Sequence, residues 1–273
     1  MKVAVTGGAG RIGEAVIEEL TSHGHEVVCI DLKEPDRRLC PARVADTTDF
    51  GHVVQVLRGA DAVVHLAAIP YAGKHPDTQV FSTNVVSHYN VLEAAWTLGI
   101  KRVVTASSIQ VIAQVGAADD PIWPSYFPVD EKHPIFPRQC YALSKEVGER
   151  IDAMFARRGM QVISLRFVGV TTVERIRSIP PERRGDKIHF WSYVDLRDAA
   201  AACRLAVEAE GLGAESFYIA AADTVREEPS IELVRQHFPE AEIRDGLEGN
   251  NTCIDIRKAR RLLGYSPRYS WRG

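Results

Sequence analysis

The feature that most constrains this chain is a set of three glycines near its start, spaced three residues apart between a strand and a helix. Residues 3–5 are apolar and predict a short buried strand, and apolar residues at helical spacing follow from residue 11 to residue 20. Glycines at such a junction permit a sharp turn, close helix–strand packing and the approach of a phosphate to helix N–H groups. The turn therefore predicts a phosphate-binding site, whose residues are Gly7, Gly10, Arg11, Ile12 and Gly13.

Beyond this turn, apolar runs of strand length alternate with amphipathic segments of helical periodicity. This alternation predicts an α/β fold with a doubly wound parallel sheet, the Rossmann fold, and a small C-terminal substrate cap. Two long helices are predicted at residues 78–98 and 139–158, because Gly99 and Gly159 stand where a helix C-terminus favours glycine. The strands after the first are expected at residues 27–30, 62–66, 102–106, 162–165 and 216–219.

Asp31 ends the second predicted strand, at about the 20-residue distance expected for an acidic residue that binds the adenosine ribose of a dinucleotide. A carboxylate at this place would repel a 2′-phosphate, which favours NAD over NADP. Basic residues nearby leave NADP open as the weaker alternative. They are Arg11, Lys33, Arg37 and Arg38.

Two further segments are expected along the cofactor. Asp46 and Thr47 follow a presumed short third strand between those at residues 27–30 and 62–66. There they would meet the adenine amino group, with an ordinary loop or helix cap before Phe50 as the alternative. The fourth strand closes in a segment with small side chains where the cofactor backbone would pass. Its residues are Leu66, Ala67 and Ala68.

Residues 1–166 are expected to form the dinucleotide-binding core. Residues 167–273 would supply the last sheet strand and the substrate cap, interleaved with the core as a single structural unit. Between the long helices, residues 116–138 contain five prolines and predict a surface loop. Residues 171–187 are charged and proline-interrupted, which predicts part of the cap, and a last helix is expected from residue 254 to residue 265.

Tyr141 and Lys145 are four residues apart in the second long helix, so their side chains share one face. A phenol is a poor base at neutral pH, but a nearby ammonium and a positive nicotinamide ring favour the phenolate, which predicts a lowered pKa for Tyr141. Ser108 follows the fifth strand, at the sheet edge where such folds bind ligands. We therefore predict a catalytic set of Ser108, Tyr141 and Lys145. The alternatives are a solvated helix face and a serine that merely starts a loop.

With these motifs the chain resembles the extended short-chain dehydrogenase/reductase family, in its NAD-dependent epimerase/dehydratase group. Further matching positions are residues 65–68, Asn84 and residues 193–195. The resemblance implies that Tyr141 is the acid/base, Lys145 its partner and Ser108 the donor to the substrate oxygen. It also implies that Asn84 supports the active site on the cofactor side, and that the two long helices build a homodimer. The expected substrate-binding residues are Ile69, Ser108, Ile109, Gln110 and Phe167.

The chain departs from members of that family that act on nucleotide-diphosphate sugars. Those typically carry Asn-x-Tyr-Gly-Pro after the sixth strand, where residues 166–170 read Arg-Phe-Val-Gly-Val and leave little room for a nucleotide. Sugar dehydratases carry Asp-Glu after the catalytic hydroxyl residue, and this chain has Ile109 and Gln110 there. The compact build is similar to uronate dehydrogenases and small sugar dehydrogenases, although those enzymes carry Asn-His at these two positions.

The sequence thus predicts an NAD-dependent oxidoreductase that transfers a hydride between nicotinamide and a small polar alcohol or carbonyl, of the sugar or sugar-acid class. An NAD-retaining sugar epimerase is the alternative, because the same residues would serve both reactions. A non-catalytic NAD(P)-binding sensor is the alternative of another class, although such proteins often lose the tyrosine and lysine that this chain keeps.

Composition argues against other kinds of partner. Lys and Arg number 33 against 36 Asp and Glu, so no basic field favours nucleic acid or an anionic membrane. The five cysteines are scattered without a C-x-x-C pair, which indicates neither a disulfide framework nor a metal site and fits a reducing cytoplasm. No apolar run reaches membrane-spanning length and no cationic leader opens the sequence. We therefore expect a cytoplasmic, unprocessed protein whose partner is a small molecule.

Overall fold

The computed structural model describes residues 1–112, 124–185 and 189–273. The strands in these ranges are β1 (Lys2–Thr6), β2 (Glu26–Asp31), β3 (Ala42–Val44), β4 (Ala62–His65), β5 (Arg102–Ser108), β6 (Tyr126–Phe127), β7 (Gln161–Phe167), β8 (Gly169–Thr171), β9 (Tyr193–Asp195), β10 (Ala214–Ile219) and β11 (Glu242–Ile243). The α-helices are α1 (Arg11–Ser22), α2 (Phe50–Leu57), α3 (Asp77–Thr97), α4 (Cys140–Arg157), α5 (Val173–Arg177), α6 (Leu196–Glu208), α7 (Ser230–His237) and α8 (Arg257–Leu263).

Seven of the described strands form one parallel sheet in the order β10-β7-β5-β4-β1-β2-β3. The chain runs outward from β1 to β2 and β3, and then crosses to the other side of β1 to continue with β4. The strand order reverses between β1 and β4, and a crevice forms at the carboxyl ends of strands where this happens. The predicted doubly wound sheet is confirmed, and each predicted strand is present in it.

The sheet strands are apolar on both faces because helices cover both sides of the sheet. On one side Val5 packs in a cluster with Ile17 of α1. On the other side Ala4 packs in a second cluster with Leu92 of α3 and Phe155 of α4. Neighbouring residues of a strand alternate between the two clusters, so the position of a residue in the strand decides which helix layer its side chain faces.

The two long helices are confirmed as α3 and α4, with ends within one residue or so of those predicted. Each is followed by a glycine in the left-handed region, Gly99 at φ +76° and Gly159 at φ +85°. Residues with a Cβ rarely adopt these angles, so the glycines end the helices where the sequence indicated. The predicted last helix is shorter than expected, spanning Arg257–Leu263 and ending at Gly264 with φ +68°.

The prediction of a surface loop before α4 is wrong for part of its length. Phe127 and Val129 are fully buried, and β6 pairs with β11. The Phe127 ring lies 5.2 Å from the ring of Phe190 and 5.0 Å from that of Phe238, so aromatic packing against the C-terminal part draws this segment inward. Prolines exclude long regular structure here but do not exclude burial. Residues 116–123 of the predicted loop lie outside the described residues.

Residues after 166 contribute to both the core and the cap. Strand β10 forms one edge of the sheet and α6 packs beside α1, whereas β8 and β9 pair with each other in a separate two-stranded sheet. Within the predicted cap segment, Val173 and Ile176 of α5 are buried, and Lys187 lies outside the described residues. The division of the chain at residue 166 stays a prediction.

None of the helices in residues 1–112, 124–185 and 189–273 has both the length and the apolar character needed to cross a membrane.

The carboxylate of Asp152 is a buried junction between α4, α3 and the sheet. Its Oδ1 accepts a hydrogen bond from His88 Nε2 at 2.7 Å. Its Oδ2 accepts from Thr105 Oγ1 at 2.9 Å and from Ser164 Oγ at 2.6 Å. Gly148 allows the histidine to approach, because a Cβ there would lie 3.1 Å from the His88 ring. One carboxylate therefore ties two helices to β5 and β7.

Replacing Asp152 by alanine would leave three buried donors unpaired. We expect Asp152→Ala to lower the free energy of unfolding by about 3 to 5 kcal/mol, measured by urea denaturation. Glu146→Ala in the same helix is the matched control, because its partner Arg150 is exposed and such pairs contribute less than about 1 kcal/mol. Equal losses in the two variants would contradict the assignment of Asp152 as the junction.

Candidate active site

A cleft of about 550 Å³ opens at the carboxyl edge of the sheet, where the strand order reverses. The segments after β1, β2, β3, β4, β5 and β7 form its wall together with the first turns of α4. The predicted site residues that line it are Gly7, Gly10, Arg11, Ile12, Gly13, Asp31, Asp46, Thr47, Leu66, Ala67, Ala68, Ile69, Ser108, Ile109, Gln110, Tyr141, Lys145 and Phe167.

The glycine turn has the space that a diphosphate needs. Gly7 has φ +70°, and a Cβ on it would lie 2.7 Å from the backbone nitrogen of Ala67. A Cβ on Gly13 would overlap the carbonyl of Gly7, so both positions require glycine for the fold itself. A Cβ on Gly10 would meet only the Gly7 oxygen at 3.2 Å. Gly10 caps α1 without a side chain, so the helix N–H groups stay open to an anion.

Asp31 is held at the mouth of this turn by two backbone hydrogen bonds. Its Oδ2 accepts from the nitrogen of Ala9 at 3.0 Å, and its Oδ1 accepts from the nitrogen of Leu32 at 2.7 Å. Each carboxylate oxygen keeps a further lone pair for a hydroxyl donor. The carboxylate therefore fits the ribose hydroxyls of a dinucleotide.

The basic residues that left NADP open are turned to other partners or lie outside the cleft. Arg11 Nη2 donates to the carbonyl of Val170 at 2.6 Å. Arg37 pairs with Glu18 at 3.1 Å and Arg38 with Glu34 at 3.3 Å. Along the described cleft wall, neither of these two arginines nor Lys33 contributes a lining atom. This arrangement favours NAD.

Asp46 and Thr47 line the cleft where the adenine end was expected. Asp46 Oδ1 accepts from both the nitrogen and the hydroxyl of Thr48 at 2.8 Å, and Thr47 Oγ1 accepts from Ser87 Oγ at 2.6 Å. The cap of α2 is instead Asp49, which accepts from the nitrogen of His52. The helix-cap alternative therefore fails for Asp46, whereas its bonds to Thr48 fit the loop alternative, and its contact with adenine stays a prediction.

Asn84 lies behind the cleft wall and is the predicted cofactor-binding residue that the described lining does not contain. Its Oδ1 accepts from the nitrogen of Ile69 at 2.8 Å, and its Nδ2 donates to the carbonyl of Ile69 and to Ser144 Oγ, both at 3.1 Å. The amide is fully used by these partners. Asn84 thus positions the segment after β4, which fits a residue that supports the active site, and its contact with the cofactor stays a prediction.

The catalytic set predicted from the sequence comes together on one wall of the cleft. Tyr141 and Lys145 lie on the sheet-facing side of α4 and line the cleft together with Ser108 at the end of β5, whose hydroxyl lowers the pKa of the Tyr141 phenol. Lys145 Nζ donates to the carbonyl of Ala106 at 2.7 Å and lies 5.6 Å from the centroid of the Tyr141 ring. The three side chains therefore form one compact group.

Burial controls the proton affinities in this group. It raises the pKa of Tyr141 to about 12, although the neighbouring Ser108 hydroxyl opposes the shift. In the protein alone burial dominates. The expected lowering rests on the positive nicotinamide ring as well as on Lys145, so it stays a prediction for the complex with NAD. Burial also lowers the pKa of Lys145 to about 8, against the opposing charges of Asp152 and Glu149.

Sequence reasoning missed part of the wall. Thr83 and Ser87 of α3 line the cleft, and their spacing of four residues on a helix that covers the sheet was a readable signal. His189 also lines the cleft, although no local pattern marks it. Ser107 lines the cleft too, and its hydroxyl donates to Glu149 Oε1 at 2.6 Å. A contact between two distant elements leaves no periodic trace in the sequence.

Comparison with known proteins gives concordant matches. Residues 3–220 match the model of the NAD dependent epimerase/dehydratase family. The chain is similar to L-arabinose 1-dehydrogenase (NAD(P)(+)) of Haloferax volcanii, with 33% identity over 184 residues that cover 64% of this chain and 70% of the relative. It is also similar to uronate dehydrogenase of Pseudomonas syringae pv. tomato, with 28% identity over 61% of this chain and 58% of the relative. A crystal structure of UDP-galactose 4-epimerase superposes with a TM-score of 0.71 and 26% identity, covering 99% of this chain and 94% of that one.

Two variants of the glycine turn should distinguish its role in folding from its role in cofactor binding. Gly13→Ala places a methyl group against a backbone carbonyl, so we expect the free energy of unfolding to fall by about 1 to 3 kcal/mol. Gly10→Ala should change it by less than about 1 kcal/mol. The same variant should weaken NADH binding about tenfold or more, measured by fluorescence titration. Unchanged NADH affinity in Gly10→Ala would contradict the placement of the diphosphate at this turn.

The buried Lys145 predicts a pH dependence of stability with a definite sign. Its pKa in the folded chain is about 8 against 10.5 for an ordinary lysine, so between these values the unfolded chain binds more protons. The free energy of unfolding, taken relative to Lys145→Met, should therefore rise as the pH is raised through this window. Urea denaturation of both proteins at a series of pH values measures it. A difference that stays constant would show that Lys145 titrates like an exposed lysine.

Proposed function

Because the chain belongs to the NAD-dependent epimerase/dehydratase family, we propose that it oxidises a free sugar or sugar acid with NAD, using Tyr141 as the acid/base. The observation that carries this proposal is that Tyr141, Lys145 and Ser108 line the same cleft as the glycine turn, with Lys145 fixed beside the Tyr141 ring. Tyr141, as proton acceptor, and Ser108, as polar group for the substrate oxygen, thus lie in the same cleft as the glycine turn that would bind the dinucleotide.

The size of the cleft and the relatives both support a small substrate. A cleft of about 550 Å³ has to receive the dinucleotide and the substrate, which favours a free sugar over a nucleotide sugar. Two of the relatives are named for activity on L-arabinose and on uronates. The wall beyond Ser108 carries the neutral polar Gln110 beside the apolar Ile109 and Phe167, a combination suited to a hydroxylated ring.

When bound, NAD supplies the hydride acceptor and, in its oxidised form, a positive charge that favours the phenolate of a nearby tyrosine. Tyr141 then takes the proton of the substrate hydroxyl as the C–H bond of that carbon gives up its hydride. Ser108 donates its hydroxyl hydrogen to the same substrate oxygen, since its own oxygen already accepts from the nitrogen of Gln110 at 3.1 Å. Lys145, fixed on the carbonyl of Ala106, adds positive charge beside the phenol.

Removing the phenol oxygen should abolish proton transfer and leave cofactor binding intact. We expect Tyr141→Phe to lower kcat by about 100- to 10,000-fold, with the NADH dissociation constant changed by less than about threefold. The assay follows NADH formation with L-arabinose, D-galacturonate and D-glucuronate. Tyr269→Phe is the control, because Tyr269 does not contribute to the described lining of the cleft and should keep wild-type kcat. Full activity in Tyr141→Phe would contradict the assignment.

An epimerase that retains its cofactor is the second candidate. The superposition with UDP-galactose 4-epimerase, which covers nearly the whole of both chains, favours it, and Tyr141 with Ser108 could serve that reaction equally. Sugar interconversion without net NADH formation by the purified protein, together with tightly bound NAD, would select the epimerase. NADH formation in proportion to substrate would select the dehydrogenase.

We further propose that the protein is a homodimer assembled on α3 and α4. Val86, Tyr89 and Trp96 lie along one face of α3 and are exposed, and Leu143 of α4 is exposed near its start. Large apolar side chains on a helix face are covered in many oligomers by a second copy of the same surface.

The five cysteines support function in a reducing cytoplasm. All five are free thiols without a disulfide, and three of them are buried.

A charge on the exposed face of α3 should separate the two copies. We expect Trp96→Glu and Val86→Glu to shift the protein from dimer to monomer in sedimentation velocity, with helix content retained in circular dichroism. Leu262→Glu on α8 is the control, because this leucine is similarly exposed but lies elsewhere. A wild type that sediments as a monomer would contradict the dimer proposal.

A further inference from the structure

The residue that caps α4 is unusual for its position. Helix N-caps are commonly the short residues Ser, Thr, Asp and Asn, and α4 is capped by Gln139. Gln139 Oε1 accepts from the nitrogen of Tyr141 at 2.6 Å, which fixes the start of the helix that carries the phenol. A glutamine also has a second functional group, the amide nitrogen, that a serine or threonine cap lacks.

That second group extends the hydrogen bonds from Tyr141 toward Ser108. Gln139 Nε2 donates to Gln110 Oε1 at 2.6 Å. The backbone nitrogen of Gln110 donates to Ser108 Oγ at 3.1 Å. A chain of hydrogen bonds therefore runs from Ser108 through Gln110 and Gln139 to the backbone of Tyr141.

These hydrogen bonds determine which way the side-chain amides of Gln139 and Gln110 point. A backbone N–H can only donate, so the Gln139 atom facing Tyr141 must be its oxygen. The nitrogen of Gln139 then faces Gln110 and can only donate, so the Gln110 atom there must be its oxygen. Gln110 is consequently left with its NH₂ group directed away from Gln139. Gln110 lines the cleft, and in the described part of the chain its amide nitrogen has no hydrogen-bond partner.

We infer that Gln139 is a positioning residue that fixes the direction of the Gln110 amide, so that Gln110 presents N–H donors to the substrate. Gln110 is two residues from Ser108, so these donors would meet the group next to the reacting carbon. The site therefore selects substrates with an acceptor oxygen there, a hydroxyl or carboxylate, and disfavours an ammonium group. The part of this inference that concerns the substrate rests on the proposed function. The direction of the Gln110 amide rests on the hydrogen bonds of Gln139 alone.

Gln139→Glu tests the inference because it replaces only the side-chain amide nitrogen of residue 139 by an oxygen. One carboxylate oxygen keeps the cap on Tyr141, and the other replaces the NH₂ group that faced Gln110. That oxygen attracts the NH₂ group of Gln110, so the Gln110 amide turns and directs its oxygen into the cleft. Gln139→Ser keeps a cap but is too short to reach Gln110. Asp49→Ser at the cap of α2 is the control for exchanging one capping residue for another.

The first readout needs no substrate. In ¹H–¹⁵N spectra of side-chain amides, the Gln110 NH₂ signals, identified by their loss in Gln110→Ala, should exchange freely with solvent in the wild type. In Gln139→Glu they should become protected, and in Gln110→Ala the Gln139 NH₂ signals should lose protection. Asp49→Ser should leave both sets unchanged. Identical Gln110 signals in the wild type and Gln139→Glu would overturn the inference.

The second readout uses whichever of L-arabinose, D-galacturonate and D-glucuronate the wild type oxidises. Gln139→Glu should raise KM by roughly 5- to 10-fold, the size of one lost hydrogen bond, with a smaller change in kcat. A residue that only capped the helix would leave KM unchanged in this variant, and that result would overturn the inference. If the wild type oxidises none of these sugars, the proposed function fails, while the amide spectra still decide the direction of Gln110.

Discussion

The rest of the site depends on the way the charged face of α4 meets the sheet. Three charged side chains on this face lie against β5 and β7, two of them buried and one partly buried. Each forms a hydrogen bond to one of these strands. Lys145 donates to the carbonyl of Ala106, Glu149 accepts from Ser107 and from Arg166, and Asp152 accepts from Thr105 and Ser164. Apolar side chains would tolerate a small slide of the helix, whereas these directional bonds hold it in one register.

This register has a cost and a consequence. The lowered pKa of Lys145 reflects the unfavourable desolvation of its ammonium, so burial of this one charge opposes folding. Its consequence is that the first turn of α4 is placed against the end of β5. The phenol of Tyr141 then meets the hydroxyl of Ser108, and the cap residue Gln139 meets Gln110. The proposed catalytic pair and the proposed selection of a substrate oxygen thus depend on the same helix–sheet contact.

The parts of this site that could be predicted from the sequence are those encoded by local spacing. The glycine turn, Asp31 at a strand end and the four-residue interval between Tyr141 and Lys145 are all readable because each lies within one element or one connection. The direction of the Asn84 amide and the burial of Phe127 could not be predicted, since both depend on segments distant in sequence. The same holds for the pKa of Tyr141, which burial dominates, and for the contact between Gln110 and Gln139.

The most direct test of this account is a crystal structure of the protein with NAD⁺. The account predicts the diphosphate at the glycine turn, the adenosine ribose on Asp31, and the nicotinamide ring beside Tyr141 and Ser108 with Lys145 near its ribose. A nicotinamide ring bound away from the Tyr141–Ser108 pair, or a dinucleotide bound in the opposite direction along the cleft, would contradict it.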